Sequence, residues 1–423
     1  MDQDRRAAFL ILKDMAQNAS YSNLAVNSVL ETEPVNSSAF VRELVYGVLR
    51  NQLLLDYNIN KFLQKPNIKL SDRILLRMGF YQIAYTEVPD YAAVSETVSM
   101  AAAFVKGRQG FINAVLRSFL RAGKKIVFPD ENASDYLSIK YSVSPDIAEL
   151  LEKVYGRTKA AEMLENANRP MPLSVRVNTL KTDKYALKKL LRSEGFETED
   201  GHLSSKSLIV KGSGVLSGEA FKRGLFSVQG EASQLAVEKL SPAKGSRVLD
   251  LCAAPGGKSC AAAELMENSG EILSFDFYEN RCGLISKEAQ RLGINIIKTA
   301  AKDACVYDPA LSESADYIIC DVPCSGLGVI GRKPELKLKG LDKEHGKLPA
   351  KQYSILRNAS KYIKKGGKIL YSTCTIDPEE NTKLVNRFVE GNPGFEIEFE
   401  QQLLPDRNGC DGFYISIIRS TND

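Results

Sequence analysis

The chain predicts a multidomain protein in three parts: an all-α N-terminal domain, a small α+β middle domain and a C-terminal α/β domain on a mostly parallel sheet. Three observations carry that expectation. The length, 423 residues, exceeds what one ordinary core holds. Residues 5–125 carry apolar positions at helical spacing almost throughout, whereas from about residue 245 short apolar runs alternate with helical stretches.

In the first part, Phe40, Val41, Leu44, Val45, Val48 and Leu49 recur at helical spacing, as do Ile74, Leu75, Met78 and Tyr81, and Pro34, Pro66 and Pro89 fall at junctions. This domain is placed at 1–140; it holds no His and no Cys, so nothing in it looks catalytic. The second part, 141–235, mixes helical stretches at 146–166 and 183–194 with β-like runs at 173–177, 206–210 and 225–228. The third, 236–423, has strand candidates at 247–252, 271–276, 295–299, 315–320 and 368–373, with helices starting near 257, 280, 350 and 378. Two late strands, 395–399 and 413–418, suggest an antiparallel hairpin at the sheet edge.

Composition narrows the class. The chain is 44% hydrophobic and 26% charged, in the globular range. It has no apolar run of the ~18–20 residues that cross a bilayer. Met1–Arg6 lacks a signal-peptide layout, so a cytoplasmic protein with no membrane partner is expected. Eight cysteines are too sparse for a disulfide scaffold. With two histidines far apart in sequence, no metal is expected. Net charge is only +4, but its distribution is uneven. Residues 97–129 hold Lys106, Arg108, Arg117, Arg121, Lys124 and Lys125 and no acid, and residues 331–351 hold seven basic residues against three acidic. Together they favour a phosphate-rich partner over solvated helix faces.

The chemistry sits in the third part. Val248–Cys252 reads as a buried parallel strand running into Ala253, Ala254, Pro255, Gly256, Gly257 and a helix near Lys258. Small residues let the backbone approach a ligand, and free amides at the helix start face it. The loop has neither the G-x-G-x-x-G nor the phosphate-loop spacing. Asp276 ends the second strand where an acid meets ribose hydroxyls, and Asp303 follows the third, placed for an adenine amine. Asp250 either holds the loop or touches the ligand. A nucleoside without a polyphosphate is implied, and S-adenosylmethionine fits best. Beyond it, Cys324 in Asp321-Val322-Pro323-Cys324 and Cys374 in Ser372-Thr373-Cys374-Thr375 each follow an apolar strand, the two strands being neighbours. Two thiols beside a methyl donor point to covalent catalysis at an electrophilic ring carbon. A thiolate adding to cytosine C6 makes C5 nucleophilic, and the scheme needs an acid near N3, for which Asp321 is nearest in sequence. Cys260, Cys282, Cys305, Cys320 and Cys410 read as small buried hydrophobes.

Three segments taken together resemble the Sun/Fmu type of bacterial ribosomal RNA cytosine-C5 methyltransferases: Leu249–Lys258, Asp321–Gly326, and Tyr371–Thr375 followed by Pro378-Glu379-Glu380-Asn381. The resemblance covers nearly the whole chain. It implies that Cys252 to Lys258, Asp276, Asp303 and Asp321 bind S-adenosylmethionine, that Cys374 is the nucleophile and that Cys324 assists product release. Position in sequence does not rank the two thiols; the resemblance does. Leu76–Gln82 and Gly110–Arg117 look like a NusB-type RNA-binding domain, so the fold implied is NusB-like, then RRM-like, then a Rossmann-like class I methyltransferase. That combination points to 16S ribosomal RNA, naked or in an early assembly intermediate, as partner of a monomer, with Arg117 a candidate RNA contact. Gly331, Leu338 and Gly230 depart from the family pattern, at positions usually Arg, Trp and an acid. The alternatives are a transfer RNA cytosine methyltransferase, which would keep every motif, and a non-catalytic RNA-binding or assembly factor.

Overall fold

The computed structural model describes residues 2–18, 22–212, 214–341 and 345–421. It divides into two compact units, Met1–Asn168 with Arg332–Leu341, and Arg169–Gly331 with Asp342–Asp423.

The first unit is helical: α1 (Gln3–Asn18), α2 (Ser22–Thr32), α3 (Ser38–Arg50), α4 (Gln52–Asn60), α5 (Leu70–Tyr85), α6 (Asp90–Phe104), α7 (Gln109–Arg121), α8 (Tyr136–Tyr141), α9 (Pro145–Tyr155) and α10 (Arg157–Asn168). The apolar stripes predicted on α3 and α5 form its core with Ile112, Leu116 and Phe119 of α7, and Phe80 stacks on Phe119 at 4.1 Å. Ser37 caps α3, accepting from the Phe40 amide. The single helix expected over 146–166 is two, because Gly156 adopts φ +76, a backbone state that ends a helix and that glycine reaches without strain.

Helix α16 (Pro334–Lys339) also belongs to this unit, which removes Lys337 from the basic residues of 331–351 that can face a phosphate. Lys337 is buried, its ammonium bonded to the Arg50 carbonyl and the Asn168 side chain. Residues 342–344 of that stretch lie outside the described ones. Leu338, where a Trp is usual, packs against the helical core.

The second unit contains two sheets. The smaller is antiparallel, in the order β2-β3-β1-β4: β1 (Leu173–Val177), β2 (Glu197–Asp200), β3 (Ser207–Lys211) and β4 (Phe226–Val228). Helices α11 (Lys184–Ser193) and α12 (Glu219–Lys222) accompany it. Strand β2 was not expected, since its Glu-Thr-Glu-Asp run is mostly exposed and lacks the apolar alternation of a half-buried strand.

The larger sheet has the order β10-β11-β9-β8-β5-β6-β7: β5 (Arg247–Asp250), β6 (Glu271–Asp276), β7 (Ile297–Ala301), β8 (Ala315–Asp321), β9 (Ile363–Thr373), β10 (Phe395–Leu403) and β11 (Phe413–Ser420). The strands from β5 to β9 are parallel; the β10–β11 hairpin is antiparallel and joins through β11. Successive residues alternate between faces. Val248, Ile319 and Leu370 meet α13 (Glu231–Leu240), α14 (Gly257–Leu265) and α15 (Glu279–Leu292), while Leu249, Ile318 and Ile369 meet α17 (Leu348–Tyr362) and α18 (Thr382–Glu390). Strand order reverses between β5 and β8, and ligands bind at the carboxyl ends beside such a switch point.

Candidate active site

Strand β5 ends at Asp250 rather than at the expected 252, because the next residues turn off the sheet. Leu251 N donates to the Ile319 carbonyl (3.0 Å) and Ala253 N to that of Phe275 (2.7 Å). Gly256 closes the turn at φ +101, where a Cβ would press within 3.2 Å of the Ile285 backbone. Helix α14 therefore opens with its first amides toward the strand ends. Asp276 supports the loop from β6: its carboxylate accepts from Ala254 N (3.2 Å), Tyr278 N (3.2 Å) and Arg281 Nη1 (3.2 Å). Asp250 is fully buried and accepts from Ser259 Oγ at 2.6 Å. Burial first, with the charge of Asp321 adding, pushes its carboxyl up to about 7. Its carboxylate both ties down the start of α14 through Ser259 and lines the smaller cavity.

Two adjoining cavities open at these strand ends, of about 240 and 180 Å³. The larger meets Cys252, Ala254, Asp276, Phe277, Asp303 and Asp321; the smaller adds Ala253, Pro255, Gly257 and Lys258. Every expected cofactor residue thus lines one or the other except Gly256, whose part is the turn. Acids at the ends of β6 and β7, backbone of a small-residue loop and a carboxylate facing both cavities fit a nucleoside bearing a cationic sulfonium.

Cys324 and Cys374 lie just past β8 and β9, which pair with Asp321 opposite Ser372. Their sulfurs are 3.1 Å apart. The hydrogen bond to Cys374, reinforced by burial, pushes the Cys324 thiol well above its ordinary range, so Cys324 stays a thiol at neutral pH, and either sulfur can donate across the contact. Asp321 sits between Lys258 Nζ (2.7 Å) and Ser372 Oγ (2.8 Å).

Sequence reasoning missed the clamp around these thiols. Glu380, fully buried, accepts from Ser325 N (3.0 Å), Ser325 Oγ and Gln352 Nε2 (2.7 Å). Asn381 accepts from Thr373 Oγ1 (2.6 Å) and donates to the Thr375 carbonyl (3.0 Å). One acid thus grips the Cys324 loop and the next residue grips the Cys374 loop, while Ser325 and Thr375 hydroxyls join the two at 2.7 Å. The bonds made by 375–381 also explain why the helix expected near 378 begins at Thr382. Glu380 and Asn381 had a signal, since they stand in the Pro-Glu-Glu-Asn segment; Gln352 had none. His345, Asp377 and Glu380 offer ligand atoms within 4.8 Å of one another, the one such group among the described residues. Glu380 there is already occupied by Ser325 and Gln352.

Elsewhere, Arg117 spends its Nε on Asn113 of the same helix (2.9 Å) while remaining exposed. Arg108 pairs with Asp72 and Lys124 with Asp90. A Cβ at Gly230 would come 3.2 Å from an Asp411 oxygen, so an acid there would meet a like charge. No helix among the described residues is long and apolar enough to cross a membrane.

The sheet order, the small-residue loop after β5 and the acids after β6 and β7 define a class I methyltransferase, with S-adenosylmethionine the expected cofactor. The 16S rRNA methyltransferase RsmB/F family matches residues 237–419, the NusB family 2–121 and an RsmF/B-like ferredoxin-like domain 147–215. The chain belongs to the RsmB/F family of ribosomal RNA methyltransferases. It is 35% identical to the probable ribosomal RNA small subunit methyltransferase B of Bacillus subtilis, over 98% of both chains. It is 30% identical to the ribosomal RNA small subunit methyltransferase B of Proteus mirabilis, over 93% of this chain and 94% of that one. The solved structure of PH0851 is 26% identical and covers 98% of both chains with a TM-score of 0.83.

Proposed function

We propose that the chain methylates C5 of one cytidine in 16S ribosomal RNA, with Cys374 as nucleophile and Cys324 assisting release. The observation that carries this reading is the pair of thiols 3.1 Å apart, just past adjacent strands and beside the cofactor cavities. The names of the relatives supply the RNA class. Domains at 1–140 and 141–235 dock the RNA and the domain at 236–423 performs the reaction, in the cytoplasm, as a monomer and without a metal.

The target base must be unstacked, since C6 is attacked from above the ring plane. Cys374 adds as thiolate to C6, and the C5=C6 electrons shift to make C5 enamine-like. Asp321 and the Lys258 ammonium paired with it supply hydrogen bonds and a proton on the N3 side as negative charge develops there. Bound S-adenosylmethionine provides the electrophilic methyl group that C5 takes. Cys324 gives its own proton to solvent and, as thiolate, takes the C5 proton; C5=C6 re-forms, Cys374 leaves as thiolate, and N3 returns its proton to the Asp321–Lys258 pair.

Unmodified 16S transcript and methyl-labelled S-adenosylmethionine, with nucleoside analysis of the digest, test this. Labelled 5-methylcytidine is expected. Label on transfer RNA instead moves the chain to that substrate. Label only on small-subunit precursor particles makes an assembly intermediate the substrate. RNA binding with no label on any of these supports the binding-factor alternative.

A further inference from the structure

We infer that Arg176, in the small antiparallel sheet, is a positioning residue that fixes the cofactor loop, so that affinity for S-adenosylmethionine is set from outside the methyltransferase sheet. The inference rests on the cofactor reading above. Along β1 the side chains alternate. Val175 and Val177 enter the small domain's own core with Leu187, Leu191 and Phe226. Ser174 and Arg176 point to the other face, which Ser207 of β3 and Ser227 of β4, the register partners of Arg176, share. That face is polar yet buried, and the methyltransferase helices cover it. Ser227 donates to Glu288 of α15 (2.6 Å), Gln234 of α13 donates to the Gln229 carbonyl (2.8 Å), and Asn178 donates to the Leu292 carbonyl (2.9 Å).

Arg176 is 2% exposed at the centre of this face. Its Nε and Nη2 bind the Glu264 carboxylate of α14 bidentately, at 2.9 and 2.8 Å. Its Nη1 donates to the Gly257 carbonyl at 2.9 Å and to Gln229 Oε1. A buried ion pair contributes little stability over apolar side chains of the same volume, so gluing two domains together does not by itself call for arginine. The planar fork is required because both of its edges are used, one held by Glu264 while the other reaches the loop. Gly257 is the first residue of α14. A peptide sends its carbonyl and the following N–H in opposite directions. Holding the Gly257 carbonyl therefore aims the Lys258 amide out of the helix start, where free amides meet a ligand. Gln229, fixed by the same guanidinium, lines the smaller cavity, and its amide lies 3.3 Å from where a Gly257 Cβ would stand.

The test uses the full chain and two variants, Arg176→Lys and Gln229→Met, in calorimetric titration with S-adenosylmethionine and thermal unfolding. Gln229→Met leaves the Arg176–Glu264 pair intact, so it keeps the fold even where Arg176→Lys does not. Both variants are expected to weaken cofactor binding at least about tenfold, or about 1.4 kcal/mol. KM for the cofactor rises in step, and KM for RNA stays near wild type. A Gln229→Met chain, or a folded Arg176→Lys chain, that binds the cofactor like wild type overturns the inference. A loss confined to KM for RNA overturns it too. Cofactor binding needs no RNA: a wild-type chain that binds S-adenosylmethionine but labels no cytidine refutes the proposed reaction, and the weakened variants still uphold Arg176.

Discussion

Glu380 is fully buried between the two thiol loops, and replacing it measures how much turnover depends on the clamp. Its Oε2 accepts from Ser325 N and Gln352 Nε2, and its Oε1 from Ser325 Oγ. Glu380→Ala deletes all three. Bonds to a charged acceptor contribute about 1.5–3 kcal/mol each, a gross loss of roughly 5–9 kcal/mol. The burial penalty of the carboxylate, several kcal/mol, disappears with it, which leaves a net loss of about 3 kcal/mol. In a unit of this size that lowers the unfolding temperature by roughly 6–12 °C. Glu380→Gln costs less. Its amide nitrogen can face Ser325 Oγ, which then gives its own proton to Thr375 Oγ1, 2.7 Å away, so about one charge-assisted bond is lost, roughly 1.5–3 kcal/mol. The functional effect falls on release, because the slackened residue adjoins Cys324. The assay is thermal unfolding together with a single-turnover reaction on 16S transcript, run on a denaturing gel. The expected result is methylated RNA retained on the protein in Glu380→Ala, with Glu380→Gln intermediate. A Glu380→Ala chain with wild-type unfolding, or with lowered stability but wild-type release, refutes the clamp.

Cys374→Ala is expected to abolish methyl transfer and RNA adduct while RNA binding persists, whereas Cys324→Ala accumulates the adduct; denaturing gels with labelled RNA separate the two, and the reverse pattern exchanges the roles. Lys258→Met strips the cation from Asp321 and should lower single-turnover kcat by about 10²–10⁴, the usual worth of a positioned proton donor; a change only in cofactor KM would make Lys258 a binding residue. Lys337 titrates at about 7 in the folded chain, lowered by burial and then by Arg50. Because the unfolded lysine keeps its ordinary 10.5, the unfolded state binds more protons between these values. Stability therefore rises with pH across that window, by up to about 1.4 kcal/mol per unit. The two carbonyl acceptors of its ammonium oppose part of that cost. Chemical denaturation of Lys337→Met at pH 7, 8 and 9 should show its stability relative to wild type falling with pH; parallel curves would mean that Lys337 does not titrate there.

What the sequence determined by itself was what local pattern and composition encode. Helical periodicity marked α3 and α5, and apolar runs marked β5, β6 and β8, because burial on one stripe or both faces is written into adjacent residues. The order β8 then β9 placed Cys324 and Cys374 on neighbouring strands, so their approach was legible before any fold was known. Boundaries were less so: whether Leu251 and Cys252 continue β5 depends on carbonyls of Ile319 and Phe275, far along the chain. Tertiary structure alone decided which partner each polar group takes. Lys258 lies in the loop by sequence but spends its ammonium on Asp321, 63 positions away by number. Arg176 looks like any strand residue until Glu264 and Gly257 close around it. Lys337 counted as surface charge until Arg50 and Asn168 enclosed it. Local pattern reports how much of a side chain is buried, while the energy of a buried charge depends on the groups that the fold brings within about 3 Å, and those are set by topology.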